Sequence, residues 1–86
     1  MREVFFLSAD EKASRFVELS ARFVQDARVL VKARRWPTAF YLAGYSLECA
    51  LKYAVCMREG RAVLAKKYRT HRFDVLIDAA DLRREL

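Results

Sequence analysis

The sequence predicts an all-α protein, folded as an up-and-down antiparallel helical bundle. Apolar residues recur at steps of three and four along two long stretches of the chain, which is the spacing of one helix face. Only two glycines and one proline occur in 86 residues, so few and long elements are expected. Hydrophobic residues make up 55% and charged residues 33%, a balance typical of globular helical proteins rather than disordered ones.

The first helix is predicted to begin near Ser8. Ser8 and Glu11 have the spacing of a capping box, and Leu7 precedes them as a hydrophobic staple. From there to about Ala33, two apolar stripes follow helical spacing: Phe16, Leu19, Phe23, Ala27 and Leu30 in one, and Val17, Val24 and Val31 in the other. So wide an apolar face can contact neighbours within the monomer or across a dimer.

The second helix is predicted from Pro37 to about Arg58, ending before Gly60. The link Arg34-Arg35-Trp36 is short and predicts an antiparallel hairpin. Gly44 interrupts the helix, which suggests close approach of the first helix or, alternatively, access for a ligand. The predicted core face consists of Phe40, Ala43, Leu47, Ala50, Leu51 and Ala54.

A third helix is predicted after Thr70, its cap, with Phe73, Leu76, Ile77 and Ala80 on the buried face. A short helix between Ala62 and Lys67 is expected before it. No glycine or proline ends the third helix before Leu86, so we expect a fourth helix to be missing or truncated. Residues 1–86 are expected to form one domain.

Most of the net charge of +6 lies in one segment between residues 58 and 72. Such a segment attracts phosphate of nucleic acid or of an anionic membrane surface, and the alternative is a solvated connection between helices. We call it the basic segment, and its cations are Arg58, Arg61, Lys66, Lys67, Arg69 and Arg72.

A second polar feature is the stripe of Tyr41, Tyr45, Glu48 and Lys52 on the second helix. Glu48 and Lys52 are either a solvated i to i+4 pair or part of a groove in which the two phenols stack on a ligand. Trp36 is expected to pack over the end of the bundle or to stack on a base, with Arg34 and Arg35 on phosphate.

Cys49 and Cys56 are seven residues apart on one predicted helix, too far for a disulfide. We expect both to be core residues in a reducing, cytoplasmic compartment, the alternative being a redox role. No apolar run is long enough to span a membrane, and no Cys/His spacing predicts a metal site. No cofactor is expected.

The stretch YLAGYSLECALK (41–52), followed by THRFDVL (70–76), resembles the HEPN domain family, as does the entry RRWPTA (34–39). This resemblance covers about half of the chain, from Arg34 to Leu76. It implies a helical bundle, usually dimeric, that acts on nucleotide or RNA or serves as the partner of a nucleotidyltransferase, often in toxin–antitoxin systems.

Catalytic members of that family cut RNA with an arginine and a histidine separated by four to six residues. Here the single histidine is His71, and the matching positions are Leu64, Ala65 and Lys66. The motif is therefore absent, and we expect no ribonuclease activity unless residues outside the chain supply it. His71 is expected to cap or pack at the third helix, or to contact phosphate or base.

The sequence thus predicts a non-catalytic, homodimeric, cytoplasmic module that binds nucleotide or RNA and a protein partner such as a nucleotidyltransferase. A ribonuclease toxin and a purely structural interaction protein are the alternatives. The predicted phosphate site comprises Arg58, Arg61, Lys66, Lys67, Arg69, His71 and Arg72, and the adjoining groove comprises Tyr41, Tyr45 and Glu48.

Overall fold

A computed structural model describes residues 11–82. Within that range the chain forms helices α1 (Ala13–Lys32), α2 (Trp36–Glu59) and α3 (Phe73–Ala79), with a short 3-10 helix (Lys66–Tyr68) before α3. The β-pairing in this part of the chain is one isolated bridge between Lys12 and Val63. The predicted all-α fold is confirmed.

Helices α1 and α2 form the expected antiparallel hairpin. Arg34 adopts the left-handed conformation (φ 62°), and the Arg35 N–H donates to the Leu30 carbonyl at 2.8 Å. This is a Schellman ending in which an arginine occupies the position usually taken by glycine. Midway along the hairpin, the Ser46 hydroxyl donates to the Ser20 carbonyl (2.8 Å) and the Ser20 hydroxyl donates to the Ser46 carbonyl (3.0 Å). This reciprocal pair fixes the register of the two helices.

The connection after α2 runs back along the start of α1. The Ala13 N–H donates to the Ala62 carbonyl (2.8 Å), and the Leu64 N–H donates to the Glu11 carbonyl (2.9 Å). Leu64 is consequently buried at 1% exposure. In place of the helix expected between Ala62 and Lys67, the chain here is extended and forms only the 3-10 turn.

Helix α3 packs on α2 through the fully buried Leu76. Its cap position is Arg72 rather than Thr70, whose hydroxyl instead accepts from the Arg72 N–H at 3.2 Å. The helix ends at Ala79, because Asp81 turns left-handed (φ 60°) and the Leu82 N–H donates to the Ile77 carbonyl. An aspartate therefore supplies the stop signal that the sequence lacks as glycine or proline.

The first helix begins later than expected. Leu7 and Ser8 lie outside the described residues, and Glu11 precedes the first turn of α1, whose cap position is Lys12. Glu11 is therefore not the third helical residue of a capping box. Of the two apolar stripes of α1, the first is buried or half-buried, whereas Val17, Val24 and Val31 remain 39–47% exposed.

The predicted core face of α2 is wrong. Phe40 is 77% exposed and Leu47 49%, and Ala43 and Ala50 are exposed too, whereas Leu51 is buried and Ala54 half-buried. Two faces of α2 carry helically spaced apolar residues, so periodicity alone does not select between them. The face that α1, the connection and α3 cover consists of Ala39, Leu42, Ser46, Glu48, Cys49, Leu51, Lys52, Val55 and Cys56.

Substitution by alanine is expected to have opposite effects on stability at the two glycines. A Cβ at Gly44 meets no atom within 4 Å, so close approach of α1 does not explain this residue. Gly44→Ala is expected to stabilise the fold by about 0.5–1 kcal/mol, as in any helix interior. Gly60 has φ 63°, and Gly60→Ala is expected to destabilise by about 1–2 kcal/mol. Urea denaturation of both variants measures the change in the free energy of unfolding. Changes of the same sign in the two variants would contradict this prediction.

Candidate functional site

The centre of the candidate site is a buried ion pair on α2. The Lys52 Nζ lies 3.1 Å from the Glu48 Oε2, with side-chain exposures of 2% and 7%. The ammonium also lies 5.9 Å from the centre of the Phe16 ring on α1. From the sequence, Glu48 and Lys52 were expected to be either a solvated pair or part of a groove. Neither expectation is correct, because the pair is buried where α1, α2 and the connection meet.

His71 completes the cluster from the other side. Its Nδ1 donates to the same Glu48 oxygen at 2.8 Å, while 53% of the side chain stays exposed. Because Nδ1 must carry the proton in this contact, Nε2 is the ring nitrogen left for a ligand. We call Glu48, Lys52 and His71 the buried triad. Glu48 therefore holds an exposed imidazole from below, and Lys52 pairs with the same carboxylate oxygen.

The basic segment contains His71, but all four of its arginines are engaged within the protein. Arg58 pairs with Asp81 (2.9 Å) and Arg72 with Asp74 (2.7 Å). The other two arginines donate to backbone carbonyls: Arg61 to that of Val63 (3.2 Å) and Arg69 to that of Leu64 (3.3 Å). The hydrogen bond from Arg72 lowers the pKa of the Asp74 carboxyl.

The two lysines of the basic segment are its most available cations. Both Lys66 and Lys67 are exposed on the 3-10 helix. The Lys67 Nζ lies 5.1 Å from the centre of the Tyr68 ring, a cation–π contact that leaves the ammonium at the surface. Of the predicted phosphate-site cations, these lysines are the ones without an ion pair or a hydrogen bond in residues 11–82, and His71 is exposed near them in the sequence.

The predicted groove is divided. Tyr41 and Tyr45 line a depression together with Thr38 and Leu42, near the hairpin end of α2. Glu48 is buried in the triad and lies outside that lining. Tyr41 is 63% exposed and Tyr45 half-buried, with its ring 6.0 Å from that of Phe23. The tyrosines and the glutamate therefore belong to two different places.

Both cysteines are free and buried, as expected of core residues. Burial raises the pKa of Cys49 to about 11, with the neighbouring Glu48 carboxylate adding to the effect. Burial also raises the pKa of Cys56. Thiols held protonated in this way are poor nucleophiles, which argues against the redox alternative.

Residues 11–82 have neither a cluster of metal ligands nor a membrane-spanning helix. No three His, Cys, Asp or Glu side chains in this range come together as metal ligands do. No helix among these residues has the length and apolar character needed to cross a bilayer. Comparisons with protein families, curated proteins and solved structures find no match to this chain.

Sequence reasoning missed two features of this region. The contact between Glu48 and His71 joins residues 23 positions apart, and its only signal was a lone histidine after a helical carboxylate–lysine pair. The Ser20–Ser46 pair had no signal beyond two small polar residues on otherwise apolar faces.

Proposed function

We propose that this protein is a non-catalytic helical module that binds the phosphate groups of a nucleotide or RNA at His71 and the basic segment. The observation that supports this most is the buried triad, which fixes an exposed imidazole through Glu48. Burying an ion pair is costly and rarely the most stable arrangement available. Orienting a surface histidine is a functional reason to keep one there.

The surroundings of His71 favour an anion. Thr70, Arg69 and Arg72 flank it in the chain, and Lys66 and Lys67 stand on the preceding turn without an ion pair in the described residues. When both ring nitrogens are protonated, Nε2–H can donate to a ligand phosphate while Nδ1–H keeps its hydrogen bond to Glu48, and the lysines add positive charge. The resemblance to the HEPN family points to the same ligand class.

Charge reversal of the lysines tests this proposal. Lys66→Glu with Lys67→Glu is expected to weaken binding of single-stranded RNA and to reduce the log–log salt slope by about 1.4, from two lost phosphate contacts. His71→Ala is expected to weaken binding about tenfold through the lost hydrogen bond to a charged group. Fluorescence anisotropy across a salt series measures both.

The matched control is Arg22→Glu, an exposed arginine on α1 outside this site. It is expected to change the slope by less than the lysine pair does. An unchanged affinity and slope in both the lysine and the His71 variants would remove the basic segment and the triad from RNA binding.

The Glu48–His71 contact also favours a second candidate, a ribonuclease toxin. A carboxylate that orients an imidazole is a common arrangement for a general base. Incubating the protein with total RNA beside the His71→Ala variant separates the two functions. Cleavage that disappears in the variant supports the enzyme, and intact RNA in both supports the binding module.

We also propose that the protein is a homodimer in the cytoplasm, where free thiols persist. Its two-helix layer has a second apolar face, away from the buried triad. Val24, Val31 and Ala43 share one depression, and Val17 and Met57 share another. The surface of α1 and α2 on this side is a strip about 30 Å long and about 20 Å wide, or about 600 Å² per copy. Two such strips would bury the roughly 1,200 Å² of total surface at which specific interfaces begin.

Charges placed on this face test the dimer. Val17→Glu with Val24→Glu, one in each depression, is expected to convert a dimer to a folded monomer, because a carboxylate cannot be buried unpaired. Val29→Glu, at a 66% exposed position outside both depressions, is expected to leave the dimer intact. Sedimentation velocity measures the mass of the species in solution. A wild-type monomer at high protein concentration contradicts the homodimer and leaves the face to another protein, such as a nucleotidyltransferase.

A further inference from the structure

The hairpin end carries cations that nothing in the described chain neutralises. Between Asp26 and Glu48 the sequence has four basic residues and no acidic one. They are Arg28, Lys32, Arg34 and Arg35, all exposed. Within residues 11–82 none of their side chains forms an ion pair or a hydrogen bond, in contrast to the arginines of the basic segment. This end therefore presents four cations that are available to a polyanion.

Aromatic rings are exposed at the same end. Trp36 is 56% exposed, Phe40 77% and Tyr41 63%, all within the first two turns of α2. The rings of Phe40 and Tyr41 meet edge to face with centroids 6.3 Å apart, and both remain mostly exposed. Clustered exposed rings of this size mark interaction sites rather than ordinary surface.

A depression of about 320 Å³ lies beside these rings. Leu42 and the two phenol rings of Tyr41 and Tyr45 give it apolar walls, and the Thr38 and tyrosine hydroxyls are hydrogen-bonding groups at its lining. The Tyr45 ring rests 6.0 Å from Phe23, which supports that wall. Its size is at the lower end of small-ligand sites and suits one flat ring with polar edges.

We propose that the hairpin end binds an unpaired nucleotide, with its base at Tyr41 and Tyr45 and the phosphates beside it on Arg34 and Arg35. Stacking on aromatic rings beside arginines is how proteins hold single-stranded nucleic acid, whose bases are free of a partner. A lipid surface fits less well, because a depression with hydroxyl groups at its lining suits a single ring with polar edges rather than a bilayer.

This site is distinct from the buried triad. Tyr41 and Lys52 are eleven residues apart on α2, a rise of about 16 Å. The inference goes beyond the function proposed for His71 and does not depend on it, so each site can fail alone. If both sites bind nucleic acid, one strand contacts the protein at the hairpin end and at His71.

Binding of labelled short oligo(A), followed by fluorescence anisotropy, tests the inference. Tyr41→Ala is expected to weaken binding about tenfold, the usual loss for one stacked base, and Tyr41→Phe to retain most of it. Arg34→Gly with Arg35→Gln is expected to reduce the salt slope by about 1.4. Glycine suits the left-handed backbone at position 34, and circular dichroism checks that each variant is folded.

Controls separate this site from its rivals. Tyr41→Ala is expected to cause the same loss of oligo(A) affinity in the Lys66→Glu, Lys67→Glu variant as in the wild type, because the hairpin end acts independently of the lysines. If free adenosine monophosphate binds with the same dependence on Tyr41, the proposal is supported and a mononucleotide is sufficient as the ligand. Oligo(A) affinity that is equal in wild type and Tyr41→Ala overturns the proposal, as does an equal loss in Arg22→Gln. Binding only to phosphatidylserine vesicles also overturns it, in favour of a membrane.

Discussion

Replacing Glu48 by glutamine is expected to lower the free energy of unfolding by about 3–5 kcal/mol, because it leaves the Lys52 ammonium buried without a carboxylate. For a domain of this size that loss is a large part of the total stability. Urea denaturation followed by circular dichroism measures it. Lys52→Met is expected to be damaging as well, since the buried Glu48 carboxylate then keeps only its hydrogen bond from His71.

Replacing both partners distinguishes a structural role from a functional one. Glu48→Leu combined with Lys52→Met is expected to recover most of the stability, because apolar residues of similar volume often replace a buried pair without loss. The same variant leaves His71 without its anchor and is expected to bind RNA as weakly as His71→Ala. Full binding in a stable double variant would show that the triad only supports the fold.

An exposed pair provides the matched control. Arg15 and Glu18 lie 2.7 Å apart on α1, but their side chains are 32% and 57% exposed. Glu18→Gln is expected to change stability by less than about 1 kcal/mol, since surface pairs are solvated and screened. If Glu48→Gln costs no more than Glu18→Gln, water reaches the triad and its burial is wrong.

Replacing Phe16 by alanine is expected to destabilise the protein by about 3–5 kcal/mol, whereas Phe40→Ala is expected to cost less than about 0.5 kcal/mol in the monomer. The chemical change is identical, but Phe16 is fully buried and Phe40 is 77% exposed. Phe16 also lies beneath the Lys52 ammonium, so its loss opens the triad to water. Urea denaturation at a protein concentration where the chain is monomeric gives both values.

Protein concentration separates folding from association in this comparison. A loss in Phe40→Ala that appears only at high concentration belongs to the dimer, because association adds stability by mass action. Equal losses in the two variants at low concentration contradict the burial of α2 described here and restore the core face that periodicity predicted.

The elements of the fold were predictable where local chemistry decides them. Pro37 and Gly60 bracket α2 because a proline suits the first turn and a glycine the left-handed end. The two other left-handed ends, at Arg34 and Asp81, were not predictable, since arginine rarely adopts that conformation and aspartate adopts it far less often than glycine. Tertiary contacts and the Schellman hydrogen bonds hold them there.

The candidate site was predictable in its residues but not in its arrangement. Glu48, Lys52, His71, Tyr41 and Tyr45 were all selected from the sequence, yet they form two places rather than one groove. Spacing on a helix reports which residues share a face. It does not report which face another helix covers, and that depends on contacts between residues far apart in the chain.

The sequence by itself determined an all-α hairpin followed by a short third helix, because apolar periodicity, a proline and a glycine act through the local backbone. Only the tertiary structure decided that Phe40 is at the surface and that Glu48 and Lys52 lie in the interior beneath His71. The physical reason is that α2 has two apolar faces, and the packing of α1, Leu64 and α3 buries the one on which two opposite charges neutralise each other.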